Sequence, residues 1–143
     1  MTINKAFSLV EVLVFTAVLG LFFVSAMAVT TFNLKNMKIQ EHKILATRFA
    51  EEGIEWIKQE KEDDWTEFIK KDTSSGKTYC LNSLDWTTAN PCTTYLAMIF
   101  KRELLITNSG SPVNQVEAMI TVYWQDMGTV LSVPIKTVFK LLE

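Results

Sequence analysis

Residues 5–32 read KAFSLVEVLVFTAVLGLFFVSAMAVTTF, and the rest of the chain is best understood outward from them. Positions 12–32 hold twenty-one residues without a charge, and sixteen of these are Val, Leu, Phe, Ala or Met. As a helix rising about 1.5 Å per residue, the run spans about 31 Å, enough to cross a hydrocarbon core. A secretory signal has a shorter apolar region that ends at a small-residue cleavage site before a turn. Here there is no proline, Gly20 is the only glycine, and the run flows into a helix-forming segment. Hydropathy alone therefore predicts a single-pass anchor.

The composition narrows the remaining possibilities. The 143 residues suit about one domain, and 48% apolar with 21% charged residues excludes a disordered or low-complexity chain. Fourteen basic against sixteen acidic residues give a net charge of −2, which excludes a strongly basic nucleic-acid binder. One histidine and two cysteines leave little for a zinc centre. No P-loop, nucleophile elbow, HExxH or CxxC motif is present. The expectation is a non-enzyme with no catalytic residues, no metal and no cofactor.

One residue does not suit a plain anchor. Glu11 lies just before the uncharged run. An ionisable group in an apolar span costs a few kcal/mol near mid-membrane and less near an edge, so it marks a functional site by default. The bland alternative is a carboxylate that snorkels to the headgroups.

The segment KAFSLVEVLVFTAVLG resembles the N-terminal signature of type IV pilins and pseudopilins. In that family a short basic leader ends in a small residue before Phe. The fifth residue of the processed chain is Glu, and an unbroken apolar helix follows. Lys5, Ala6, Phe7, Leu9, Glu11 and Leu13 stand at the family's positions, with Ser8 and Val10 as close replacements. Ala6 replaces the commoner Gly, and Ala28 stands where many members carry proline. Gly20 lies where many members have the glycine at which the helix loosens in filaments. The likeness covers residues 5–31.

The resemblance implies a processing route. A leader, residues 1–6, is removed by the prepilin peptidase between Ala6 and Phe7, and the new amine of Phe7 is N-methylated. The helix half 7–32 holds the subunit in the inner membrane and its lipid. An inner-membrane assembly platform then extracts it into a filament of pilin subunits, a surface pilus or a periplasmic pseudopilus. Glu11 docks against the Phe7 amine of a neighbour. A minor pilin is the first reading, and a pseudopilin of a type II secretion or competence system is the alternative. A reading from another class is a single-pass, membrane-tethered binding module in which Glu11 is incidental and the leader is retained.

Charge placement pulls against this topology. Lys5 alone precedes the run, while Lys35, Lys38, Lys43 and Arg48 follow it, which by itself would place the C-terminal side in the cytoplasm. The processing motif requires the opposite, and the two cysteines agree with it. Loss of Lys5 takes the net charge from −2 to −3, which argues against direct DNA binding by one subunit.

Residues 33–143 read as a globular domain. Leu34, Met37, Ile44, Leu45, Phe49, Gly53, Ile54 and Ile57 recur mostly at three- and four-residue steps. One helix is predicted from about Phe7 to about Glu60, apolar first and striped afterwards. Asp63 or Asp64 is placed to cap a short helix over 65–70, with Trp65, Phe68 and Ile69 on its packed face. The carboxylates from Glu51 to Asp64 read as a solvated face, and His42 as a surface histidine.

Beyond the loop 72–77 the period becomes two. Strands are predicted at 77–81 and 100–107. A third carries Val116, Ala118, Ile120, Val122 and Trp124 inward, and a fourth Leu131, Val133, Ile135, Thr137 and Phe139. Pro134 points the last strand to an edge. The fold class is α+β: a long N-terminal helix whose second half packs on an antiparallel sheet, as in pilins. Trp56 and Trp65 read as helix packing and Trp124 as core, leaving Trp86 and Tyr95 on loops. Cys80 and Cys92, an even count in an exported domain, favour a disulfide over two buried thiols.

Overall fold

A computed structural model describes residues 8–72, 78–88, 92–109, 112–126 and 128–141. The chain divides into two compact units, Met1–Gln40 and Glu41–Glu143. Helix α1, Leu9–Asp63, supplies residues to both.

In the first unit every residue from 8 to 35 is exposed. Among the described residues one helix is long and apolar enough to cross a membrane, and its most apolar stretch is not buried inside the protein. The hydroxyls of this stretch turn back on the helix. Thr16 donates to the Leu13 carbonyl at 3.0 Å, Ser25 to Leu21 at 2.8 Å, Thr30 to Ala26 at 2.9 Å and Thr31 to Met27 at 2.9 Å. Outside water a polar group must be satisfied internally, and these four need no partner from the surroundings.

In the second unit the helix turns a stripe of small residues inward. Ala46, Ala50, Gly53 and Ile57, at steps of four, three and four, are its buried positions. The larger Leu45, Phe49, Ile54 and Trp56 pack partly buried beside them. This corrects the predicted stripe: its centre is small, while Leu34, Met37 and Ile44 are exposed. The reason is close approach. A Cβ built on Gly53 would lie 2.7 Å from Cδ1 of Ile120 and 3.1 Å from Cδ of Arg102.

Asp64, in extended conformation, ends α1 and caps α2 (Trp65–Phe68), its Oδ1 accepting from the Glu67 N–H at 3.1 Å. The predicted short helix thus forms, with its last part tightened into a single 3-10 turn, Ile69–Lys71. Phe68 is buried, and Trp65 and Ile69 pack beside it.

Among the described residues the sheet has four antiparallel strands in the order β1 (Tyr79–Cys80), β2 (Lys101–Ser109), β3 (Gln115–Asp126), β4 (Thr129–Lys140). In β3 the five predicted inward residues are all buried, in strict alternation. Strand β4 is an edge, and Pro134 stands in it opposite Thr121, where a missing ladder donor is tolerated. Gly128 takes a φ of +83° in the turn that joins β3 to β4. The core therefore lies between the α1 stripe, α2 and one face of the sheet.

Gly53→Ala sets a helix-propensity gain of about 1 kcal/mol against overpacking of about 1–3 kcal/mol. Overpacking wins because Ile120 is fully buried, so a net loss of about 1 kcal/mol is expected in urea unfolding followed by tryptophan fluorescence. Removing the clashing Cδ1 with Ile120→Val should make the double variant's loss smaller than the sum of the two single losses.

Candidate functional site

The predicted docking residue lies at the first turn of α1. The N–H groups of Glu11 and Val12 donate to the Ser8 carbonyl at 2.9 and 3.2 Å, which starts the helix. Glu11 is exposed, and a carboxylate there complements the positive end of the helix dipole. Ala6 and Phe7, the predicted cleavage and methylation residues, lie outside the described residues. Gly20 is helical, and a Cβ added to it would meet nothing within 4 Å. The folded chain itself therefore gives no reason for glycine at that position, which costs roughly 1 kcal/mol of helix propensity relative to alanine.

Cys80 and Cys92 are joined, with their Cα atoms 5.4 Å apart, and both are buried. The closed loop carries Leu81, whose carbonyl accepts from Nε of Arg102 at 3.0 Å and from Nη2 at 2.8 Å. Nη1 donates to the Phe49 carbonyl and to Oε2 of Glu52, both at 2.7 Å. The Arg102 side chain is 1% exposed, while that of Glu52 is 53% exposed. The Arg102 N–H donates to Oδ1 of Asn82 at 2.8 Å, and Nδ2 of Asn82 holds the Thr94 carbonyl, also at 2.8 Å. One guanidinium thus fastens strand, helix and disulfide loop. The sequence predicts a strand over 100–107 but not the role of Arg102; the signal was a lone charge alternating in step with Phe100, Leu104 and Ile106.

Two aromatic expectations change. Trp86 is loop-borne but not free. Its ring packs on Trp56 at 4.9 Å and Tyr79 at 5.1 Å, and its N–H donates to Glu60 at 2.6 Å. Burial, and then the Asp72 charge, hold the Tyr79 hydroxyl above the usual tyrosine range. His42 is not a plain surface residue. Its ring meets Phe100 edge-on at 6.0 Å, and Nδ1 lies 3.8 Å from Oδ2 of Asp126. Within the acidic run, Glu52, Glu60 and Asp64 have the specific partners already named, while Glu51, Glu55, Glu62 and Asp63 are exposed.

The segment before β2 forms a tight turn. Leu96 and Phe100 exchange backbone hydrogen bonds of 2.7 and 3.0 Å, and the Ile99 N–H donates to the Ala97 carbonyl at 2.9 Å across Met98. Ala97 and Met98 take φ of +45° and +73° without being glycine. That is a γ-turn of the positive-φ kind, the rarer and more strained form. The left-handed region costs a side-chain-bearing residue about 1–2 kcal/mol. Beside the turn lies a cleft of ≈ 570 Å³.

No protein-family model matches this chain, and neither do any curated protein or solved structure.

Arg102→Met should cost about 3 kcal/mol, because the Leu81 carbonyl is left buried without its charged donor. Glu52→Gln should cost under about 1 kcal/mol, since that carboxylate is half in water. Replacing both cysteines by serine should cost about 3 kcal/mol. Combined with Arg102→Met, the loss should fall short of the sum, because both changes release Leu81. Urea unfolding monitored by tryptophan fluorescence reads all four.

Proposed function

We propose that the chain is a structural subunit, a minor pilin, of a type IV pilus-type filament. It is cleaved by a prepilin peptidase between Ala6 and Phe7 and assembled through its apolar N-terminal helix. The observation that carries the reading is the helix stretch 9–32, exposed throughout, with Glu11 as its only charge. Such a surface needs an apolar cover. Lipid supplies it before assembly, and the helices of neighbouring subunits supply it afterwards. The internally bonded hydroxyls suit either surrounding.

Glu11 then has a task that apolar contacts cannot perform. Hydrophobic association is non-directional, so packed apolar helices define their axial register poorly. A carboxylate in a dry helix bundle is costly unless paired. The Phe7 amine of a neighbouring subunit, freed by cleavage, is the pairing group. Desolvation offsets much of the attraction, so the pair selects register more than it adds stability.

Mass spectrometry of assembled filaments should find this subunit beginning at an N-methylated Phe7. A chain beginning at Met1 in that fraction refutes the reading and leaves a tethered module. Glu11→Ala should still insert and still be cleaved. Truncating one partner of a buried charge pair costs about 2–5 kcal/mol, so its share of the filament fraction should fall tenfold or more. Assembly at the wild-type level would reduce Glu11 to a snorkelling carboxylate.

A further inference from the structure

We propose that the cleft beside the 96–100 turn docks a segment of a partner protein that presents an apolar side chain next to a carboxylate. The proposal does not rest on the filament reading. The cleft holds ≈ 570 Å³ between Tyr95, Met98, Ile99, Tyr123 and Val130, with Lys101 at its side. That volume suits a site for two or three side chains, and apolar walls with a few polar groups are what binding sites are made of.

Charge identifies the visitor. The Lys101 ammonium stands 4.7 Å over the Tyr95 ring. Among the described residues it has no carboxylate partner, and no acidic residue lines the cleft. The chain nevertheless carries more acidic than basic residues. A cation held over an aromatic ring, with no carboxylate beside it among the described residues and largely apolar walls around it, is complementary to a carboxylate that arrives with apolar neighbours.

The turn supplies an independent reason. Glycine would hold positive φ at position 98 at lower cost, yet Met98 stands there at φ +73°. The residue is 90% exposed, so contacts within the chain do little to offset the strain. Strain kept at an exposed side chain points to a contact made outside the chain. An unbranched thioether is well suited to apolar surfaces of irregular shape. A small ligand inside the cleft would leave Met98 in water, whereas a peptide segment lying across the rim covers both.

The test uses the full chain in lipid nanodiscs as bait for a displayed random-peptide library. The selected peptides should carry Asp or Glu beside an aliphatic or aromatic residue. Lys101→Gln should weaken them by about tenfold, as should replacing their acid by its amide. Met98→Gly should weaken them to a similar degree without lowering the thermal midpoint, because strain is relieved as the contact is lost. Met98→Leu should bind within about threefold of the parent. Four results would overturn the proposal: no enrichment, enriched peptides without an acid, equal binding by Lys101→Gln, or equal binding by Met98→Gly. Sedimentation of the full chain in micelles decides the other occupant. Self-association that Met98→Gly abolishes would make a second copy the visitor and would overturn the assignment to a partner.

Discussion

A guanidinium taken out of water must have its N–H groups answered, and that requirement organises the sheet-bearing unit. Arg102 is almost wholly buried, and its acceptors come from outside its own strand: Phe49 and Glu52 on α1, and Leu81 in the disulfide loop. Apolar contacts tolerate sliding, but hydrogen bonds from a planar, forked cation fix distance and direction. Helix register, strand register and loop position are therefore set together. Gly53 belongs to the same arrangement, since any side chain there would press on the Arg102 stem and on Ile120. The disulfide holds Leu81, the residue after Cys80, where the guanidinium needs it.

The helix that supplies two of those acceptors is written for different surroundings along its length. Through its apolar stretch the hydroxyls bond back to the helix and the large side chains lie exposed. From Ala46 to Ile57 the buried positions are mostly Ala and Gly, and the bulk stands to either side. The first pattern lets a helix stand in an apolar medium. The second lets a helix approach a sheet closely. Continuous helix propensity joins the two, with no proline to interrupt it.

Much of this was legible in the residues. The uncharged run and its glutamate, the inward sets of β3 and β4, the edge proline and a helix cap at Asp63 or Asp64 follow from local rules of period, propensity and charge, and the cysteine pair from its even count. The pieces that were not legible are contacts between distant positions. Trp86 and His42 looked like loop and surface residues because their neighbours in sequence are polar. Their neighbours in space are Trp56, Tyr79 and Phe100. The strained turn at Met98 left no glycine or asparagine to announce it.

The sequence by itself determined an apolar helix able to span a membrane, an α+β domain after it, and the alternation that tells each long strand which face to bury. Periodicity is a local property, so a single chain displays it. The tertiary structure alone decided that the helix meets the sheet through small residues, that Arg102 is a buried clasp, and that Lys101 and Tyr95 come together at one cleft. Those facts depend on which distant side chains share a space from which water is excluded, and no local pattern encodes that.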